Sequence, residues 1–193
     1  FRINVTEGSL MISFQIKDKV FYPGHGVAVI ESIDDKTVAG NVVSLYKLCF
    51  LSKEMTILVP VNNVVAIGVR SLSSTAVVDK ALNELYKQPE QKVGSLDFTP
   101  SGWNKRNKEY QLKIQNGGLI DLSRIYRDLM FVAKHKELSF GERNLLNMTE
   151  DLIIQEVVIV KEKSREEVLR EIRSPFREYL AVDGAHSQAS SSL

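Results

Sequence analysis

Several features are scarce in this sequence, and each scarcity argues against a class of protein. One cysteine, Cys49, occurs in 193 residues, so an internal disulfide cannot form and a reducing cytosol is expected. No apolar run approaches the roughly 20 residues that cross a bilayer, and the first ten residues lack the apolar core of a secretory signal. The net charge is only +1, so attraction to nucleic acid has to come from a local cluster of cations.

Residues suited to catalysis or metal binding are also few. The histidines His25, His135 and His186 are scattered and have no cysteine or carboxylate at ligand spacing. Cys49 lies between Leu48 and Phe50, which is typical of an inert buried thiol. The turn PGHG lacks the spacing of a phosphate-binding loop. We therefore expect no metal, no cofactor and no enzymatic activity.

The first third of the chain has the composition of a β-sheet. Residues 19–70 are rich in Val, Ile, Phe and Tyr, which favour strands. Turn signals divide this segment at Pro23-Gly24, Asp34-Asp35, Gly40-Asn41 and Asn62-Asn63. This spacing predicts about five short strands in a small barrel or curled sheet.

The pattern becomes helical from Ser74 onward. Apolar residues recur at helical spacing, and the sequences SFGE and SREE have the spacing of capping boxes, in which a serine and a glutamate bond each other's backbone N–H. The apolar positions expected on buried helix faces are Val78, Ala81, Leu82, Leu85, Leu122, Ile125, Leu129, Val132, Leu145, Leu146, Leu152, Ile153 and Val157. The fold class predicted is therefore α+β, with a small β domain followed by an all-helical domain.

These patterns predict the following division of the chain. Met11 is interpreted as the natural start, which makes residues 1–10 an added or upstream extension. The β domain is expected over residues 11–72 and the helical domain over residues 73–180. The serine-rich residues 181–193 are expected to be a disordered tail.

One basic segment stands out from an otherwise balanced chain. Between Trp103, the only tryptophan, and Lys113 there are four cations and one anion. Trp103, Asn107, Tyr110 and Ile114 share one face of a helix, so the tryptophan could be the first residue of a buried stripe. Alternatively, a ring in the first turn could project past the end of the helix. The residues alone leave both interpretations open.

Four segments together resemble a known family. VFYPGHGVAVIESI, ILVPVNNVVAIGVR, WNKRNKEY and RDLMFVAKHKELSFGERNLLNMTEDLI are similar, in order and spacing, to the CarD/CdnL family of bacterial RNA-polymerase-binding transcription regulators. The resemblance covers roughly residues 11–180. It implies a Tudor/SH3-like β domain joined to a compact helical domain, in a protein that is cytoplasmic and associated with the nucleoid through polymerase.

The resemblance also implies a mechanism. The β domain would bind the RNA polymerase β subunit, with Lys36, Thr56 and Leu58 at the contact. The family's tryptophan, matched by Trp103, would wedge into the minor groove at the upstream edge of the melted −10 element and stabilise the open promoter complex. The residues expected to hold DNA phosphates are Lys105, Arg106, Lys108 and Lys113. A monomer that binds promoter DNA weakly and without sequence specificity when alone is expected.

One position departs from the family pattern, and two other functions stay open. Leu58 stands where the family often has an arginine that contributes to the polymerase contact, so the contact here would be more apolar. An adaptor that docks on polymerase without touching DNA is one alternative. A small enzyme is the other, although the sequence shows no convergent set of catalytic groups.

Overall fold

The computed structural model describes residues 2–6, 9–38, 40–89, 99–116 and 118–177. The predicted tail at 181–193 lies outside these ranges, as do residues 90–98 between the second and third helices. Two β-sheets occupy the N-terminal part, and helices follow. The strands are β1 Arg2–Thr6, β2 Ser9–Ser13, β3 Lys19–Tyr22, β4 Gly26–Val38, β5 Asn41–Phe50, β6 Thr56–Pro60 and β7 Arg70–Ser71.

The larger sheet has five antiparallel strands in the order β6-β5-β4-β3-β7. Its strands are rich in β-branched and aromatic residues that alternate between a packed face and an exposed face. Strands β1 and β2 pair as a separate hairpin, which includes most of the expected N-terminal extension. The predicted five-stranded sheet followed by helices is confirmed.

One turn prediction was wrong. Asp34 and Asp35 do not form a turn but lie within β4, opposite Leu45 and Ser44 of β5. Their carboxylates accept hydrogen bonds from nearby hydroxyls: Ser44 Oγ donates to Asp35 at 2.5 Å, and Ser32 Oγ donates to Asp34 at 2.7 Å. Aspartate is normally depleted in strands, but on the exposed part of this long hairpin side-chain hydrogen bonds satisfy it. The turns predicted at residues 23–24 and 40–41 are present.

The described residues also form six α-helices. No helix among these residues combines the length and apolar character needed to cross a membrane. Nearly all of the predicted apolar faces are buried; Leu146 is only half-buried. Both predicted capping boxes form, at Ser139 with Glu142 and at Ser164 with Glu167. The helices are α1 Val64–Ile67, α2 Thr75–Glu84, α3 Pro100–Gln115, α4 Leu119–His135, α5 Phe140–Lys161 and α6 Arg165–Arg173.

The sheet and the helices share a hydrophobic core. Phe21 of β3 and Val27 of β4 are fully buried in the same cluster as the apolar faces of the helices. Helix α5 makes the polar part of this contact, because Gln155 Oε1 accepts a hydrogen bond from the backbone N–H of Val27 at 3.1 Å. Burying two large apolar side chains contributes roughly 1.5–3 kcal/mol each. The β part is thereby fixed against α5.

A buried ion pair completes this contact. Glu156 of α5 is 0% exposed, and both its oxygens accept hydrogen bonds from the Arg70 guanidinium, at 2.7 and 2.8 Å. The backbone N–H of Ser73 also donates to Glu156 at 2.7 Å. The guanidinium of Arg70 lies 4.3 Å from the centre of the Phe21 ring. The pair therefore joins the strand that ends the sheet to the last third of α5.

Gly26 provides a test of this contact. It has a positive φ of 96°, and a Cβ at this position would overlap the side-chain amide of Gln155. We expect Gly26→Ala to lower the free energy of unfolding by roughly 2–5 kcal/mol, since the cost of positive φ adds to the cost of displacing the Gln155 amide from its hydrogen bonds with Val27 and Asp151. Urea denaturation followed by circular dichroism measures it.

Gly24 is the matched control. It also has a positive φ, of 72°, but a Cβ added at this position would have no neighbouring atom within 4 Å. Gly24→Ala should therefore cost only the backbone term, about 1–2 kcal/mol. Equal losses for the two variants would contradict the importance of the contact between Gly26 and Gln155.

Candidate nucleic-acid interface

Helix α3 carries the tryptophan and the predicted phosphate contacts. It begins in the sequence Thr99-Pro100, where the Thr99 hydroxyl caps the helix by accepting from Gly102 N–H at 3.2 Å and Pro100 occupies the first turn. Tyr110 and Ile114 are buried against the other helices. These contacts fix which face of α3 is turned outward.

Trp103 is neither fully buried nor fully exposed. Its ring packs against the core of the helical domain and lies on Gly141, in the first turn of α5, where an added Cβ would be 3.4 Å from Cζ2. Trp103 therefore starts the buried stripe, as the first interpretation of the sequence has it, and the second interpretation, in which the ring projects past the end of the helix, stays a prediction for the part of the ring that remains accessible.

Arg106 requires a correction to its predicted role. It is not a surface residue: only 8% of it is exposed, and its guanidinium faces the carboxylate of Glu142 at 3.7 Å. The physical reason is helix geometry, because Arg106 is three residues after Trp103 and so lies on the same inward side. In this conformation Arg106 braces α3 against α5 and is not presented to phosphate.

Glu142 is the central residue of this contact, which we call the Glu142 brace and which consists of Glu142, Arg106, Lys136 and Ser139. It is 1% exposed and binds Lys136 Nζ at 2.5 Å and the backbone N–H of Ser139 at 2.9 Å, besides Arg106. Burial favours the neutral acid, but the hydrogen bonds from Lys136 and Ser139 outweigh it and hold the pKa of Glu142 below its usual value. Glu142 therefore stays ionised at neutral pH and ties α3, the α4–α5 connection and the start of α5 together.

Sequence reasoning found only part of this brace. The capping-box spacing identified Glu142 as a helix cap. It did not identify Lys136 or Arg106 as partners, since they come from the preceding connection and from another helix. The sequence did contain one indication that Arg106 faces inward: its i,i+3 spacing from Trp103 places both residues on one face of the helix.

Three of the predicted phosphate contacts are exposed. Lys105, Lys108 and Lys113 all lie on the surface of α3, and none of them forms an ion pair with another residue in the described ranges. At about 100° per residue, Lys105 and Lys108 lie roughly 140–160° around the helix from Trp103. The structure therefore separates the ring from these two cations, which leaves them available to an anionic partner along the outer side of α3.

The predicted polymerase residues lie on the same face of the sheet. Leu58 of β6 pairs with Lys47, Thr56 pairs with Cys49, and Lys36 of β4 pairs with Val43. Because side chains alternate along a strand, these register partners share a face with one another. Leu58 is 43% exposed, and Lys36 and Thr56 are exposed as well.

Strand β6 is also the edge of the five-stranded sheet. The unpaired backbone groups of an edge strand can pair with a strand of another protein. The side chain of Lys47 next to Leu58 is already in an ion pair with Glu31 at 2.5 Å. The surface around Leu58 thus offers an apolar side chain and an open strand edge.

The described residues offer little for a cofactor or metal. No group of three or more histidine, cysteine, aspartate or glutamate side chains among them could hold a metal ion. A groove of about 330 Å³ lies beside Tyr126. Its cations Arg143, Lys136 and Arg173 are each bound by a glutamate, so the groove has no uncompensated charge for a ligand.

Comparisons with known proteins agree with this architecture. Residues 14–73 match the model of the CarD-like/TRCF RID domain, and residues 81–173 match the model of the CarD C-terminal domain. The chain belongs to the CarD family. It is 26% identical over 148 residues to YdeB of Bacillus subtilis (strain 168), a protein whose name describes it as a candidate transcription factor; the match covers 77% of this chain and 92% of YdeB.

The two matches fit the two structural parts of this CarD family member. The first includes the five-stranded sheet with Lys36 and Leu58. The second includes α3 and the Glu142 brace, so both members of the ion pair that connects Trp103's helix to α5 lie within it. The family of transcription factors expected from the sequence is thereby confirmed.

Arg106 and Lys108 should behave differently when mutated. Arg106→Ala removes a buried cation from Glu142 and should lower the free energy of unfolding by about 1–3 kcal/mol. Lys108→Ala changes an exposed side chain and should alter it by no more than about 0.5 kcal/mol. Thermal and urea denaturation of the two variants measures the difference. Equal stability would show that the ion pair seen here does not contribute.

Proposed function

We propose that this protein binds the β subunit of RNA polymerase through its β domain and stabilises the open promoter complex through Trp103. The observation that carries the proposal is the placement of Trp103, a half-buried ring fixed on Gly141 with part of its surface accessible. Aromatic wedges that enter a disrupted base step are an established way to bind the minor groove. The upstream edge of the melted −10 element provides such a step.

Helix α5 links the two proposed contacts. Its first turn supports the Trp103 ring, and its residues Gln155 and Glu156 bind the β domain. Gln155 lies 14 residues after Gly141 in the sequence, which corresponds to about 21 Å along a helix. A protein docked on polymerase would therefore hold the ring at a set distance from the docking face.

The charge distribution suits a DNA contact that works only on polymerase. Three exposed lysines of α3 could neutralise about three phosphates, which gives a log–log salt dependence with a slope near −3. Such binding is weak and independent of sequence for the free protein. Attachment to polymerase raises the local concentration of DNA to about the millimolar range, where a weak contact becomes effective. The protein would act in the cytoplasm, as a monomer on polymerase.

The polymerase contact is assigned to the surface around Leu58 and the edge of β6. Lys36 supplies a cation on the same face, and Thr56 and Leu58 lie on the edge strand itself. Strand addition would supply backbone hydrogen bonds, while Leu58 would supply apolar contact. The apolar side chain at this position makes the contact less dependent on salt than an arginine would.

Leu58→Asp should weaken binding to the β subunit at least about tenfold, because a carboxylate would have to be desolvated at the contact. Lys36→Glu should weaken it less and in a salt-dependent way, as expected of a charge at the rim. Leu112→Asp is the matched control, since Leu112 is an exposed leucine on α3 rather than on the sheet. Biolayer interferometry with the isolated β-subunit lobe measures all three. Loss of binding in Leu112→Asp but not in Leu58→Asp would overturn the assignment.

Trp103→Ala should shorten the lifetime of the open promoter complex by about fivefold to a hundredfold, the range expected when an aromatic ring no longer stacks on a base. Because the ring is half-buried, the variant should lose less stability than the about 3–5 kcal/mol typical of a fully buried tryptophan. Heparin-challenge kinetics measure the lifetime, and circular dichroism measures stability. A folded variant that binds polymerase and leaves the lifetime unchanged would favour an adaptor without a DNA role.

A further inference from the structure

Phe140 is an exposed aromatic residue at the very start of α5. It is 81% exposed, more than any other large hydrophobic residue in the described ranges. Single exposed apolar residues are common on protein surfaces. The position of this one is unusual, because the next residue, Gly141, is the residue on which the Trp103 ring lies. Two aromatic side chains from different helices therefore flank one backbone segment.

The backbone that carries Phe140 is held on both sides. Ser139 caps the helix by accepting from Glu142 N–H at 3.3 Å, and Glu142 accepts from Ser139 N–H at 2.9 Å. The same carboxylate is bound by Lys136 and faced by Arg106 of α3. The Glu142 brace therefore fixes Phe140 and Trp103 relative to each other, and ordering this exposed side chain against a partner would require little change in the backbone.

We propose that Phe140 is a second aromatic contact of this protein with promoter DNA, lying against the sugar and base edge next to the step that Trp103 enters. This inference rests on the proposed function of Trp103. The pair would hold the upstream fork with two apolar surfaces rather than with a single ring. Phe140 would then extend the contact and limit how the DNA can turn about Trp103.

The chemistry around Phe140 fits DNA better than it fits an apolar protein surface. Its exposed neighbours Ser139, Gly141, Arg143 and Asn144 include no second apolar side chain. Arg143 lies three residues further along α5, so it shares the exposed face of the helix with Phe140. Its only ion pair among the described residues is with the highly exposed Glu137, at 3.6 Å, which a phosphate could replace at little cost. An exposed aromatic ring beside a cation matches a groove bordered by phosphates.

The test measures open-complex lifetime with the full-length protein, purified RNA polymerase and a linear promoter. Phe140→Ala should shorten the lifetime at least about fivefold, as expected for loss of one aromatic contact with a base step, and Phe140→Leu should recover part of it. Neither change should lower the melting temperature, since the side chain is exposed. Tyr86→Ala is the matched control, because Tyr86 is an exposed aromatic residue at the end of α2, and it should leave the lifetime unchanged.

Photocrosslinking identifies the partner directly. Benzoyl-phenylalanine in place of Phe140 should crosslink to promoter DNA at the upstream edge of the bubble, and the same group in place of Tyr86 should not. Crosslinking to a polymerase or σ subunit instead would overturn the proposal. So would an unchanged lifetime for Phe140→Ala when Trp103→Ala shortens it, a result that leaves the proposed function intact. If Trp103→Ala is also without effect, the proposed function itself fails.

Discussion

The ion pair between Arg70 and Glu156 is the interaction on which the arrangement of this protein depends. A carboxylate buried in the middle of a helix is costly unless both its oxygens are bound. Here Arg70 supplies two hydrogen bonds and Ser73 a third, and both come from the end of the β domain. The helix can bury Glu156 only while the sheet is docked on it. Loss of either partner would leave the other charge uncompensated, so the two parts of the chain are expected to keep one relative orientation.

Because α5 contacts both the sheet and Trp103, the ion pair also helps to fix the position of Trp103 relative to the sheet. The last third of α5 is fixed to the sheet, and its first turn supports the ring of Trp103 and displays Phe140. A helix transmits position along its length because the hydrogen bonds between successive turns keep its backbone rigid. A second ionic centre, Glu142, repeats the arrangement at the other end of α5 with Arg106 and Lys136. The single helix α5 therefore connects the proposed polymerase face with the proposed DNA face. Its buried carboxylate Glu156 anchors it to the sheet, and its buried carboxylate Glu142 anchors it to α3.

The partial burial of Trp103 is a compromise between two physical demands. A ring that is fully exposed samples several rotamers, and fixing it on binding costs free energy. A ring that is fully buried is rigid but has no surface to offer. Packing one side of the indole on Gly141 and leaving the remainder accessible restricts the ring before any partner arrives.

The sequence alone determined most elements of this fold, because strand and helix periodicity, the two capping boxes and most turn residues are local signals. It also determined the family and the candidate residues. It did not indicate the hairpin of β1 and β2 or the short helix α1, which lies within the segment predicted to be β. It did not determine that Asp34 and Asp35 continue a strand, since their hydrogen-bonding hydroxyls come partly from another strand. Nor did it reveal that Arg106 faces inward, because the decisive partner, Glu142, is 36 residues away in the sequence. Only the tertiary structure decided which cations are exposed, how far Trp103 is buried, and that Phe140 stands beside it, since each depends on how separate helices pack together.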